Sequence, residues 1–128
     1  MSIPVDLAVL GETLRDFDYA YLVTITEGST AHVVAVSPVV RGDKVEIDGL
    51  GRRTLSNAGE RPAVTLAWPP REPGGYSLIV DGTAETAGVG LAVSPSRAVL
   101  HRAAPEREPK EGDGCASDCV EVPLAGAS

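Results

Sequence analysis

The sequence predicts a mainly β protein: a closed or nearly closed antiparallel barrel of six strands, flanked by two short helices. Apolar and polar residues alternate along many short segments, and turn residues separate these segments at hairpin spacing. The chain has 128 residues, which suits one domain. Its residues are 43% hydrophobic but only 4% aromatic, so that Val, Leu, Ile and Ala must build the core. A barrel is favoured over an open sheet because closure removes exposed strand edges.

The first predicted elements are a helix and a hairpin. Over residues 4–17 apolar residues recur at helical spacing, which predicts an amphipathic helix that covers one opening of the core. These recurring residues are Leu7, Leu10, Leu14 and Phe17. Residues 19–26 and 31–40 then predict two antiparallel strands, joined by a turn that begins at Gly28.

A third strand and a short helix follow. Residues 44–48, KVEID, alternate between apolar and acidic side chains, which predicts a strand with one solvent-exposed face. The next stretch, GLGRRTLSNAGERP, predicts a short helix from about Arg53 to Ala58, ended by Gly59 and Pro62. A pair of arginines therefore stands at the start of this helix.

Three strands complete the predicted barrel. Residues 63–68, AVTLAW, alternate cleanly and end in a tryptophan. Residues 76–87 predict a long strand with a bend at Gly82, and residues 91–102 predict a final strand that is interrupted at Pro95. Each of these segments follows a turn rich in glycine or proline, as expected of consecutive antiparallel strands.

The last part of the chain, residues 105–128, predicts an acidic, partly flexible tail after a barrel domain over residues 1–104. The tail contains six acidic and two basic residues, so it carries four of the seven net negative charges. Residues 119–122, CVEV, could add a short strand to the barrel edge. Cys115 and Cys119 are expected to be free thiols, because zinc needs four N or S ligands and the two histidines lie far away in the sequence.

Charge and hydropathy argue against several classes of function. With 18 acidic and 11 basic residues, the chain is not expected to bind nucleic-acid backbones. Its apolar runs are far shorter than the ~20 residues that a membrane helix requires, and its start lacks the features of a secretion signal. We therefore expect a cytoplasmic protein with no nucleic-acid or membrane partner. The sequence holds no hydrolase triad order and no phosphate-binding glycine motif, so catalysis would depend on a cofactor.

The order of these elements resembles that of the pyridoxamine 5′-phosphate oxidase-like split β-barrels. Both have a helix, a hairpin, a third strand, a short basic helix, a strand that ends in an aromatic residue and proline, and a long strand with a central glycine. The resemblance covers roughly residues 5–104. The stretches that carry it are AHVVAV at 31–36, LGRR at 50–53, PAVTLAWP at 62–69 and VDG at 80–82.

This resemblance implies a homodimer whose two barrels share a groove, with flavin mononucleotide (FMN) or a deazaflavin lying across it. The cofactor phosphate would lie near the third strand and the short helix, where free backbone N–H groups, close backbone approach at glycine and an arginine fork suit an anion. Arg53 is the first candidate. The family commonly has lysine where this chain has Thr54, which indicates a lost or replaced phosphate contact. The candidate cofactor-binding residues are Gly51, Arg52, Arg53, Thr54, Asn57, Trp68 and His32.

Each candidate also has a structural interpretation. The arginine pair could be solvated helix-end residues, His32 a surface or interface residue, and Trp68 a core residue, since it alternates with Val64 and Leu66. No catalytic residue is assigned. Two functions stay open: an FMN- or deazaflavin-dependent oxidoreductase of unknown substrate, and a cofactor-free split barrel that binds a small ligand or a protein partner in the same groove.

Overall fold

The computed structural model describes residues 2–103. The predicted acidic tail, its two cysteines and the predicted edge strand at 119–122 lie outside the described residues. The predicted barrel domain is therefore described over nearly all of its length.

The described chain folds into eight strands and two helices. The helices are α1 (Leu10–Thr13), flanked by 3-10 turns at Leu7–Val9 and Leu14–Asp16, and α2 (Arg52–Glu60). The strands are β1 (Ser2–Pro4), β2 (Ala20–Ile25), β3 (Ala31–Val36), β4 (Val39–Arg41), β5 (Lys44–Ile47), β6 (Ala63–Trp68), β7 (Ser77–Ala87) and β8 (Gly90–His101).

All strand pairs are antiparallel and belong to one sheet with the order β3-β2-β6-β7-β8-β5-β4. The long strand β8 pairs with β7 along one edge, while its other edge pairs first with β5 and then with β1. Strands β3 and β4 end this order, and no pairing joins them in the described chain. The sheet is therefore a split barrel whose wall opens between β3 and β4.

One apolar core fills the barrel. It is built by alternate side chains of the strands, because successive residues of a strand point to opposite faces of the sheet. Helix α1 adds Leu10 to this core, and α2 adds Ala58. The fully buried strand residues at its centre are Leu22, Val45, Ile47, Leu66, Leu78, Val80, Leu91 and Val93.

The six predicted strands are all present, but the barrel has two more. The predicted strand over residues 31–40 is split into β3 and β4, because Pro38 has no N–H to donate and restricts the backbone of the residue before it. Strand β1 is only three residues long, and its alternation was too short to predict.

The prediction of one continuous helix over residues 4–17 was wrong, because two 3-10 turns flank a short α-helix there. Asp6 caps a 3-10 turn by accepting a 3.0 Å hydrogen bond from the backbone N–H of Ala8, and the backbone of Val9 then leaves the helical conformation at φ −112° and ψ 17°. Gly11, with its low helix propensity, lies in the α-helical turn that follows. Leu10 is nevertheless buried as predicted.

Helix α2 is longer than predicted and passes through Gly59, which was predicted to end it. A β-carbon at Gly59 would lie 3.7 Å from Thr86 Cγ2, so this glycine occupies an ordinary helical position. Arg61, the residue after the helix, donates a 2.7 Å hydrogen bond from its side-chain Nε to the Ile25 carbonyl oxygen, and Pro62 follows it. Pro62 disfavours a helical conformation at Arg61, so the helix ends at Glu60, where this part of the prediction holds.

The interruption predicted at Pro95 is a β-bulge within a continuous strand. The pairing of β7 and β8 shifts from Asp81 opposite Arg97 to Gly82 opposite Pro95, which leaves Ser96 as the extra residue. A β-carbon at Gly82 would lie only 2.6 Å from the Ser94 carbonyl oxygen. The predicted bend at Gly82 therefore marks a site of close backbone approach.

Candidate functional site

A groove lies where the barrel wall is open. Its volume is about 510 Å³, and it runs between the edge of β3 and the β4–β5 hairpin as far as the first turn of α2. Because β3 and β4 end the described sheet without pairing to each other, the groove runs along their unpaired edges. The lining residues are 34–37, 39, 41, 46, 48–51 and 54.

The N-terminus of α2 opens onto this groove without a side-chain cap. Gly51 is the N-cap residue, and the backbone N–H of Leu55 makes the first hydrogen bond of the helix, to the Gly51 carbonyl oxygen at 3.1 Å. The three N–H groups before it have no acceptor within the helix. No atom lies within 4 Å of the place where a β-carbon of Gly51 would be, so the approach to these donors is open.

Arg52 and Arg53 occupy the first two positions of α2. Both side chains are exposed, and within residues 2–103 neither forms an ion pair or a side-chain hydrogen bond. The groove-lining residues of this turn are their neighbours Gly51 and Thr54, and at about 100° per residue Arg52 lies about 100° from Gly51 and Arg53 about 100° from Thr54. The two arginines thus flank the groove-lining face of the helix on opposite sides.

The opposite wall of the groove carries charges of both signs. Arg41 and Glu46 form an ion pair with an Nε to Oε1 distance of 3.0 Å, and Asp48 is exposed. Because Glu46 balances Arg41, the unbalanced charge of this wall is negative. Unpaired positive charge at the groove is thus concentrated at the α2 end.

Two further candidates on α2 are buried. Thr54 is 3% exposed and lines the groove, whereas Asn57 is 5% exposed and does not. The Asn57 side-chain amide donates a 3.1 Å hydrogen bond to the hydroxyl of Thr24, which is fully buried on β2. The amide of Asn57 is thus engaged with the barrel and turned away from the groove.

The remaining two candidates lie apart from this turn. His32 is half-buried on β3, opposite Thr24 on β2, two residues before the first lining residue of its strand. Trp68 is 3% exposed in the core, opposite Leu78, as its structural interpretation predicted. The structure therefore brings together Gly51, Arg52, Arg53 and Thr54, and separates them from Trp68.

Residues 2–103 contain neither a metal-binding cluster nor a membrane-spanning helix. No group of three or more His, Cys, Asp or Glu side chains could hold a metal ion. Over the same residues, neither helix is long and apolar enough to cross a bilayer.

Comparison with known proteins identifies close relatives and a fold. Uncharacterised proteins of Mycobacterium bovis and Mycobacterium tuberculosis are each 44% identical to the chain over an alignment of 132 positions. The alignment covers 91% of this chain and 93% of each relative. At this identity the three chains form one family. No family model matches the sequence.

Solved structures share the fold at low identity. An F420 reductase is 18% identical, with a TM-score of 0.57 over 68% of this chain and 94% of its own. An FAD-binding protein of Mycobacterium smegmatis is 18% identical, with a TM-score of 0.58 over 80% and 100%. A protein of the pyridoxinephosphate oxidase family from Clostridium acetobutylicum is 13% identical, with a TM-score of 0.59 over 77% and 91%.

The chain has the pyridoxamine 5′-phosphate oxidase-like split β-barrel fold. The predicted fold class is thereby confirmed: a mainly β split barrel with two short helices. In this split barrel, the sequence had not indicated Glu46 and Asp48 as groove residues. Their alternation predicted a solvent-exposed face, which is correct, but only the split between β3 and β4 turns that face into a groove wall.

Proposed function

We propose that this split barrel binds a flavin-type cofactor, FMN or a deazaflavin, in the groove between β3, β5 and α2. The proposal rests on one observation above all: a groove of about 510 Å³ ends at a helix N-terminus that has an open glycine and two arginines that form no ion pair within residues 2–103. This volume is in the usual range of small-molecule sites. Two proteins with the same fold, an F420 reductase and an FAD-binding protein, support the proposal of a flavin-type cofactor.

The residues at the α2 end fit a phosphate group. The backbone N–H groups of residues 52–54 supply donors, and the positive end of the helix dipole favours an anion. The guanidinium of Arg53 can add two parallel hydrogen bonds to phosphate oxygens. Thr54 contributes a hydroxyl donor where the resembling family commonly has lysine.

The chain's own part in catalysis would be to bind and orient. A flavin or deazaflavin supplies a ring that exchanges hydride with a substrate when it is bound. The α2 turn would anchor the phosphate end, and the apolar side chains of Val34 and Val36 along β3 would shield the other end from water. We therefore propose an oxidoreductase, cytoplasmic in location, whose substrate is not assigned.

We also propose that the barrel forms a homodimer through the outer face of β3, β2 and β6. This face is apolar: Val33 is 52% exposed, Tyr21 is 39% exposed, and Ala35 and Ala67 flank Tyr21 on the neighbouring strands. The Tyr19 and Tyr21 hydroxyls share a 3.3 Å hydrogen bond, which raises the pKa of Tyr19 above its ordinary value. An uncharged apolar face of this kind suits a second copy of the same chain.

A second candidate function is a cofactor-free barrel that binds a small ligand or a protein partner in the same groove. The observation that favours it is the exposed carboxylate of Asp48, which lines the groove just after β5 and forms no ion pair within residues 2–103, together with Thr54 in place of a cation. This carboxylate would repel an anionic ligand that extended along the wall.

Titration of the purified protein with FMN, riboflavin and a deazaflavin separates the two candidates. The proposal expects saturable quenching of flavin fluorescence, with FMN bound at least about tenfold more tightly than riboflavin, since riboflavin lacks the phosphate. Equal affinity for FMN and riboflavin would remove the α2 turn from the site. An absence of saturable binding for all three ligands would favour the cofactor-free barrel.

A further inference from the structure

Helix α2 contacts the barrel through both apolar and polar side chains. Its buried side chains are Thr54, Asn57 and Ala58, and Leu55 is half-buried against the core. Hydrophobic packing is not directional, whereas a hydrogen bond has a preferred geometry. The hydrogen bonds that join the helix to the sheet can therefore fix its tilt.

Two side-chain hydrogen bonds tie α2 to consecutive residues of β2. Asn57 donates to the Thr24 hydroxyl at 3.1 Å, and Arg61, just after the helix, donates to the Ile25 carbonyl oxygen at 2.7 Å. The backbone N–H of Arg61 also donates to the Asn57 carbonyl oxygen at 2.8 Å, so the two attachments are coupled. Asn57 and Thr24 are both more than nine-tenths buried, which makes their bond the inner of the two.

The hydrogen bond between Asn57 and Thr24 lies far enough from the groove that a small tilt of α2 around it would displace the first turn of the helix. Arg52 precedes Asn57 by five residues, or about 8 Å along the helix axis. A tilt of about 10° around Asn57 would move the first turn of α2 by about 1.3 Å. Displacements of about 1 Å are enough to disrupt a precisely oriented contact.

We propose that Asn57 and Thr24 are positioning residues, whose buried hydrogen bond fixes the tilt of α2 and so places its first turn against the groove. Asn57 acts from behind the helix and does not touch the ligand, which is a different role from direct cofactor binding. The effect on ligand affinity rests on the proposed function, whereas the effect on the order of α2 does not.

Three variants test this role. Thr24→Val keeps the shape of the side chain but leaves the Asn57 amide buried without its acceptor. Thr24→Ser keeps the hydroxyl and serves as the rescue. Leu78→Val is the stability control, because Leu78 is fully buried at the opposite end of the barrel, where β7 begins opposite Trp68.

Two readouts are compared: amide hydrogen exchange over residues 55–61, whose N–H groups are hydrogen-bonded within the helix and its C-cap, and the Kd for FMN. We expect Thr24→Val to speed exchange in α2 about tenfold and to weaken FMN binding at least about threefold. Thr24→Ser should match the wild type in both. Leu78→Val should lower the melting temperature but should not selectively change the amide exchange of α2 or the Kd for FMN.

The outcomes separate this inference from the proposed function. The inference is overturned if α2 exchanges its amide hydrogens in Thr24→Val at the wild-type rate. It is also overturned if the wild type binds FMN and Thr24→Val binds it with the same affinity. If the wild type binds no flavin, the proposed function fails, and the exchange of α2 still decides whether Thr24 and Asn57 hold the helix. Equal changes in Leu78→Val would show a general loss of stability and would also overturn the inference.

Discussion

Replacement of Arg53 by alanine should weaken FMN binding far more than the same replacement of its neighbour Arg52. Arg53 matches the arginine of the cofactor segment in the split barrels that this chain resembles, and we propose that its guanidinium holds the phosphate, whereas Arg52 lies one residue outside that match. Loss of a charge-assisted hydrogen bond costs about 1.5 to 3 kcal/mol. The Kd of Arg53→Ala should therefore rise about 10- to 150-fold.

Arg52→Ala is the matched control, because it removes the same charge from the same turn. A phosphate of charge about −2 that lies about 10 Å from the Arg52 guanidinium in water would lose only about 0.8 kcal/mol of attraction, or about fourfold in Kd. Fluorescence quenching of FMN at low and at 0.5 M salt measures both variants, and the small Arg52 effect should vanish at high salt. The reasoning is refuted if the two variants weaken binding equally, or if Arg53→Ala binds like the wild type.

Three further predictions concern the groove, the bulge and the proposed dimer. Thr54→Lys should tighten FMN binding by adding a cation to the groove, and the gain should shrink as salt is added. Gly82→Ala should destabilise the protein by about 2 kcal/mol in denaturant unfolding, because the new β-carbon would lie 2.6 Å from a carbonyl oxygen, whereas Gly59→Ala should be neutral or stabilising. Val33→Glu should convert a dimer to a monomer in sedimentation velocity, whereas Val9→Glu, also at an exposed valine, should not. A monomeric wild type at micromolar concentration would contradict the dimer.

The sequence predicted those parts of the fold that depend on local pattern. The alternation of Val64, Leu66 and Trp68 placed all three in the core, where they are less than 5% exposed. The arginines and the glycine before them placed the first turn of a helix correctly to within one residue. Periodicity suffices here because each of these elements buries one face.

The features that the sequence did not predict depend on distant partners. The Arg61 side chain is held by the Ile25 carbonyl oxygen on β2, and Pro95 is accommodated because it lies opposite Gly82 on another strand. The burial of Asn57 requires Thr24, which is 33 residues away. Such contacts are set by the packing of the whole barrel, so no local pattern reveals them.

The groove itself is the clearest case of a non-local feature. The alternation of Glu46 and Asp48 correctly indicated a polar strand face, but the sequence does not show what that face looks onto. Only the sheet order, with β3 and β4 unpaired at its two ends, makes it a wall of the candidate site. The candidates on α2 could therefore be named from the sequence, whereas the opposite wall could not.

The central claim is that a flavin phosphate is held by the first turn of α2. Amide NMR shifts of the isotopically labelled protein, followed during titration with FMN and then with riboflavin, test it most directly. We predict that FMN shifts the backbone amides of Arg52, Arg53 and Thr54 together with those of Val34 and Val36, and that riboflavin leaves the three α2 amides nearly unmoved. Saturable FMN binding that leaves the α2 amides in place would contradict the claim, because the phosphate would then be bound elsewhere.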